Sequence, residues 1–271
     1  MIKTLLILLM VFSFVSGNNA LADKYVGDKS SSSPAIGFDQ VDHAPWNALL
    51  QKFVNNRGMV NYKGWQSSKS DSSALDAYLK HLSSAQPKTK SSRKAKLAFW
   101  INAYNALTIK GILQVYPTKS IRDHTPKVFG FNIWEDLYIW VGGKKYNLEK
   151  IEHKILRKMG EPKIHFAIVC ASIGCPRLMN EAFTAENVYK NLNRNMFHFF
   201  KQKQNFRHNA ASNTFELSAI LDWFKEDFGK NQAERLQKIA KYLPTEEAKA
   251  AALSGQVKVK YLEYNWKINK Q

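Results

Sequence analysis

The sequence predicts an α+β domain, mostly helical, with a small mixed or antiparallel sheet. Three observations carry that expectation. Apolar residues recur at helical spacing in several separate stretches. Residues 133–148 carry a hairpin signature, an alternating run that turns at Gly142-Gly143 and returns. Short apolar runs at 164–170 and 257–261 read as further strands. Helices mixed with a few, partly antiparallel strands belong to the α+β class.

Residues 1–22 read as a secretory signal peptide. Lys3 supplies the positive region, Thr4 to Ser16 form a short apolar run, and Ala20-Leu21-Ala22 is a small-x-small cleavage site before Asp23. The run is shorter than the roughly 20 residues a membrane-spanning helix needs. An exported protein, periplasmic or secreted after cleavage near Ala22, is therefore expected. Residues 23–37, with Ser30 to Ser33 before Pro34, read as a flexible N-terminal segment. No break of linker length follows, so 38–271 reads as a single globular domain.

Within that domain the elements follow in order. A helix over 43–56 is marked by Trp46, Leu49, Leu50 and Phe53, and a second over 72–84 by Leu75, Tyr78, Leu79 and Leu82, with Asp71 as N-cap. A long helix over 91–115 should stop before Pro117. After the hairpin, Asn147 caps a helix over 148–158. Ile164 to Cys170 is a short apolar strand. Thr184 caps a helix over 185–202, and a turn and short strand lead to a helix near 219–228 that ends at Gly229. Helices over 231–242 and 246–253 precede a last strand, Val257 to Tyr261.

Apolar residues make up 45% of the chain, enough for a sizeable core. Lys and Arg number 40 against 22 Asp and Glu, a net charge of +18. Such a charge favours an anionic envelope polymer or a membrane surface as partner. The basic residues are spread out and no recognition motif is present, so nucleic acid is not expected. Nothing in the sequence calls for a cofactor.

Four groups of residues could carry chemistry. Asn102 and Asn105 share a face of the apolar helix at 99–107. Buried amides need partners, so they either tie loops to the core or orient an imidazole or a substrate carbonyl. On a helical wheel Leu148, Ile151, Ile155, Leu156 and Met159 form an apolar arc. Glu152 falls inside it and His153 outside, beside Glu149 and Arg157. An inward carboxylate is either a structural anchor or a functional acid.

In a regular strand His165 and Cys170 would face opposite ways and stand about 16 Å apart. Gly174 and Pro176 turn the chain, so Cys175 could fold back toward the imidazole, or Cys170 could meet a histidine from elsewhere. Three readings of the thiols compete: a Cys170–Cys175 disulfide, natural in an oxidising compartment; a reactive thiolate; and a zinc site, whose spacing matches no common motif. Trp223, Asp227 and Phe228 read as packing, and Tyr264-Asn265-Trp266 as a pin for the last segment.

The stretches AFWINAYNALTIKGIL (98–113), IEHKILR (151–157), IHFAIVCASIGCPRL (164–178), LSAILDWFKEDFG (217–229) and YLEYNWKIN (261–269) occur in one order. In that order the chain resembles domain-of-unknown-function family 547. Asn265 stands where the family's usual form resembles Asp, so a role needing that carboxylate's charge is lost here. The resemblance implies no activity. The residues in these stretches lead to the expectation of a thiol enzyme acting on an acyl or amide bond. Cys175, or else Cys170, would be its nucleophile, His165 or His153 its base, and Glu152 would orient the imidazole, with Asn102 or Asn105 polarising the carbonyl. The alternative is a non-catalytic binding module stapled by a Cys170–Cys175 disulfide.

Overall fold

A computed structural model describes residues 24–29, 34–125 and 131–271. The expected signal peptide, 1–22, lies outside them, as do Asp23 and residues 30–33 of the N-terminal segment. Residues 24–29, read as flexible, instead lay down strand β1 (Tyr25–Val26). The Tyr25 ring stacks 5.6 Å from Tyr138 and 5.8 Å from Trp140, which holds this short piece on a sheet.

The first half is helical. Helix α1 (Ala44–Phe53) buries Trp46, Leu49, Leu50 and Phe53 as the spacing predicts. Helix α2 (Tyr62–Ser67) is capped by Asn61. Helix α3 (Lys69–Ser83) starts earlier than expected, because Ser68 rather than Asp71 caps it. Asp71 sits in the first turn, where a carboxylate suits the positive helix end. Helix α4 (Arg93–Val115), capped by Ser92, is buried almost all round and forms the central rod of the core.

The hairpin begins with a helical turn, α5 (Ile133–Asp136), and continues as β2 (Tyr138–Val141) and β3 (Lys144–Tyr146). Asn147 accepts from the Lys150 N–H at 2.9 Å. It opens a widened π-helix over Lys150–Leu156, where the Arg157 N–H reaches back five residues to the Glu152 carbonyl.

The expected strand at 164–170 is absent. Pro162–Phe166 is a 3-10 helix, with Pro162 in its first turn and Glu161 as its cap. Residues 167–170 then continue outside any strand. Side-chain amides satisfy this backbone in place of a ladder: Asn105 bonds both the Ala167 carbonyl (2.9 Å) and the Val169 N–H (3.0 Å), and Asn195 donates to the Phe166 carbonyl (2.9 Å).

Helix α6 (Val188–Phe200) is followed by the hairpin β4 (Phe206–Asn209) and β5 (Thr214–Ser218). The helix expected over 219–228 is broken at Phe224 into α7 (Ile220–Trp223) and α8 (Lys225–Phe228). Helices α9 (Gln232–Ile239) and α10 (Glu246–Ser254) lead to β6 (Lys258–Leu262). Among the described residues two three-stranded sheets result, ordered β1-β2-β3 and β4-β5-β6, each with one parallel and one antiparallel pairing. The α+β class holds, with two small mixed sheets where one was expected.

Two apolar clusters build the core. One surrounds α4, and the other gathers the side chains of α6, β5, α9 and α10. Tyr264 packs against both and so marks their seam. The segment carrying it runs antiparallel to residues 171–174: Ile173 N–H donates to Lys267 O and Gly174 N–H to Asn265 O, both at 2.8 Å. Among the described residues no helix is long and apolar enough to cross a membrane.

Candidate functional site

The site grows from a reversal of the chain after Cys170. Ala171 takes a left-handed conformation, φ 57°, which costs a non-glycine residue about 1 kcal/mol or more. The Cys175 N–H then closes the turn onto the Ser172 carbonyl at 3.1 Å. The two sulfurs, both free, come to 2.7 Å from each other. Gly174 lets the 264–271 segment approach: a Cβ there would lie 2.9 Å from the Asn265 nitrogen and 3.0 Å from the Tyr264 ring. Asn265 fixes the bend, its side-chain oxygen accepting from the Lys267 N–H at 3.0 Å. That is a hydrogen-bonding role, which an amide fills as well as a carboxylate.

The bend delivers the Tyr264 hydroxyl to the thiols. It donates to Cys175 Sγ at 3.0 Å and lies 3.3 Å from Cys170 Sγ and 2.9 Å from Ser172 Oγ. Cys175 Sγ also receives the Cys170 N–H at 3.1 Å, the Cys170 thiol, and Ser172 Oγ at 3.5 Å. Burial alone would raise the Cys175 pKa. The hydrogen bonds from Cys170, Tyr264, Ser172 and the Cys170 backbone overcome it and lower the pKa to about 6. Cys170 is the converse: its bond to the Cys175 sulfur, followed by burial, holds its pKa well above the ordinary thiol value. The hydrogen bonds thus favour the thiolate at Cys175 and the thiol at Cys170.

Glu152 points inward, as the wheel predicts, and is buried. Its partner is the Tyr104 hydroxyl of α4, which donates to Oε2 at 3.1 Å. Burial pushes the Glu152 pKa up to about 7; the Tyr104 bond opposes this, while the negative charges of Cys175 and Glu149 add to it. Glu152 thus bonds no histidine, and the expectation that it orients an imidazole is not met.

The histidines form a separate network. His165 Nε2 lies 2.7 Å from Asp227 Oδ2, and its ring stacks on Phe224 at 3.9 Å. Arg157 grips the same carboxylate with two bonds, at 2.7 and 2.9 Å. Another nitrogen of that guanidinium lies 3.0 Å from His153 Nδ1, and His153 Nε2 lies 3.3 Å from Glu149. Burial depresses the His165 pKa, although Asp227 pulls it back up. The Asp227 pKa, which burial alone would raise, lies well below the carboxylate range because His165 and Arg157 bond it. A neutral His165 that donates Nε2–H to Asp227 leaves Nδ1 as a bare acceptor, and Nδ1 is buried without a hydrogen-bond partner. Neither histidine bonds a sulfur, so the expected thiol–imidazole pair does not form in this state.

Asn102 and Asn105 resolve to the structural alternative. Asn102 clamps both backbone groups of Phe183, at 2.7 and 3.1 Å, and Asn105 holds residues 167–169 as described. Neither lines the cavity into which the other candidates open.

That cavity holds about 360 Å³. Cys170, Cys175, Glu152, His153 and His165 all line it, with Tyr104 and Tyr264. Trp134, Trp223, Phe224 and Trp266 form its aromatic walls. A larger hollow of about 870 Å³ lies beside α8–α10, but no thiol or histidine lines it. Among the described residues no group of three or more His, Cys, Asp or Glu is placed to hold a metal ion.

Sequence reasoning missed Tyr104, Arg157, Asp227 and the sulfur-binding role of Tyr264. The signal was there in the five quoted stretches, each of which contributes at least one residue to the cavity wall. Residues 88–200 match the model of the family described as "Protein of unknown function, DUF547", in agreement with the resemblance read from the sequence. No curated protein and no solved structure matches the chain.

Proposed function

We propose that this chain of the DUF547 family is an exported thiol enzyme, a hydrolase or transferase acting on an acyl or amide bond, with Cys175 as nucleophile. The observation that carries the reading is the set of donors converging on the Cys175 sulfur, in a cavity that also presents a carboxyl poised near neutrality. A thiolate needs such stabilisation to exist at neutral pH. Export is supported by Lys3, the apolar run after it and Ala20-Leu21-Ala22.

In this reading the Cys175 thiolate attacks the substrate carbonyl, forming a C–S bond and a tetrahedral oxyanion. Tyr264, already a donor to the sulfur, is placed to follow that charge. Collapse breaks the bond to the leaving amine or alcohol, which takes its proton from the Glu152 carboxylic acid. The Glu152 carboxylate then accepts a proton from water, or from an acceptor amine or alcohol, as it attacks the thioester. Cys175 leaves as a thiolate and Glu152 is again protonated. His165, fixed by Asp227 and Phe224, positions the bound substrate through its bare Nδ1.

The test is covalent trapping. Incubation with p-nitrophenyl acetate, followed by peptide mass mapping, should show one acetyl group, on Cys175, and none in Cys175→Ala. A native, reduced protein whose Cys175 takes neither acetyl nor iodoacetamide is not this enzyme.

A second reading, a non-catalytic module for anionic envelope polymers or membrane surfaces, is favoured by one observation: the sulfurs adjoin closely enough to pair as a staple. Intact mass separates the two. A purified chain lighter by two hydrogens, refractory to mild reductant and inert to the ester, supports the module.

A further inference from the structure

We propose that the thiol cavity takes a substrate bearing an ammonium-type cation close to its reacting carbonyl, of the kind a lysine-like side chain presents. The inference rests on the reading of this cavity as a substrate site and names the class of substrate. The chain has 40 Lys and Arg against 22 Asp and Glu, yet among the described residues no Lys or Arg lines this cavity, whereas the exposed Glu135 and Glu149 do, beside the Glu152 carboxyl. The nearest guanidinium on the histidine side, Arg157, is held by the Asp227 carboxylate. Arg122, which does not line the cavity, lies over the Trp266 ring, 5.1 Å from its centroid.

The walls point the same way. Trp223 stacks on Trp266 at 5.7 Å yet stays 48% exposed, so a large aromatic surface faces solvent beside the cavity. Aromatic faces attract alkylammonium groups through their negative quadrupole, and Arg122 already uses Trp266 in that way. Glu135, exposed at the rim, is in no ion pair among the described residues, and Glu149 faces only the half-buried His153. An anionic substrate would meet these carboxylates and the Cys175 thiolate, which repel it.

A third observation is independent of charge counting. His165 Nδ1 is a buried acceptor without a donor, on a side chain that lines the cavity. A ligand N–H that reaches it by a small shift of the wall would satisfy it, and an ammonium offers several. Apolar wall, carboxylate rim and bare acceptor together describe a cage for a protonated amine. The net charge of +18 draws anions to the protein as a whole but not to this hollow.

Equilibrium binding tests the inference without relying on turnover. The tryptophan fluorescence of the full chain and of Cys175→Ala is titrated with hexylammonium, hexan-1-ol and hexanesulfonate. Hexylammonium should bind about tenfold more tightly than the isosteric alcohol, and hexanesulfonate weakest of the three. In Glu135→Gln/Glu149→Gln, both exposed positions, that preference should fall severalfold. Equal or tighter binding of the alcohol or the sulfonate overturns the inference, as does a preference unchanged in the double variant. Cation-selective binding by Cys175→Ala, together with a wild-type thiol inert to iodoacetamide, would leave the cation site standing and remove only the enzyme.

Discussion

The Tyr264 hydroxyl lies 3.0 Å from the Cys175 sulfur, although the two residues are 89 positions apart. A distant segment thus supplies one of the donors that lower the pKa of the thiol. Wild-type protein should be alkylated by iodoacetamide with a half-maximal rate at about pH 6, the value to which Cys175 is lowered. Tyr264→Phe removes one donor and should move that midpoint upward, slowing alkylation at pH 6 by about fivefold. An unchanged midpoint would show that the hydroxyl does not stabilise the thiolate.

The rate of acyl transfer should depend on pH as a bell. Cys175 must lose its proton, at about pH 6, and Glu152 must keep its own, up to about pH 7. The Cys175 charge also raises the Glu152 pKa, so the alkaline limb reports Glu152 with the thiolate beside it. Glu152→Gln should abolish the alkaline limb and lower kcat by about a hundredfold. Retention of that limb would place the proton donor elsewhere.

The same acid should make the fold sensitive to base. Its folded pKa, about 7, stands above the ordinary 4.5, so between these values the native chain holds a proton that the unfolded chain has released. Its contribution to stability therefore declines as pH rises from about 4.5 to 7, by about 3 kcal/mol in all. Glu152→Gln should be more stable than wild type at pH 8 by about 2 kcal/mol, and close to it at pH 4.5. Paired urea unfolding curves at the two pH values check this, and a difference that does not vary with pH would refute it.

Asp227 should act in the opposite direction. Its depressed pKa makes a contribution that is complete above the ordinary carboxylate range and fades as pH falls through the folded value. Asp227→Asn should cost about 1–2 kcal/mol at pH 7, reduced from a fully buried pair by partial exposure, and little at pH 2. Because the variant also frees His165 and Arg157, the hexylammonium affinity of the cavity should fall with it. Thermal unfolding at both pH values and fluorescence titration read the two effects.

Much of the framework was legible because it depends on local chemistry. The all-round apolar character of Ala98 to Leu113 marks a central helix, and Asn147 announces the start of the next one. The inward position of Glu152 follows from the wheel alone. The strand expected at 164–170 fails because an apolar run does not reveal where its backbone bonds will go, and here Asn105 and Asn195 supply them from other helices. The short β1 was invisible because its hold is a stack on Tyr138 and Trp140, more than a hundred positions away. Asp227 looked like packing because its partner His165 is 62 residues upstream. Within the site, the cysteines and Glu152 could be found by residue type, but the tyrosines that tune them could not.

The seam at Tyr264 has a consequence in time. Residues 264–269 leave the ribosome after the rest of the cavity wall, and until they dock against 171–174 the Cys175 sulfur lacks its phenolic donor. Until then Cys175 lacks one of the donors that lower its pKa, and its reactivity is reduced by about the factor expected of Tyr264→Phe. The sulfur's full set of donors is thus assembled only when this segment docks, late in the folding of the chain.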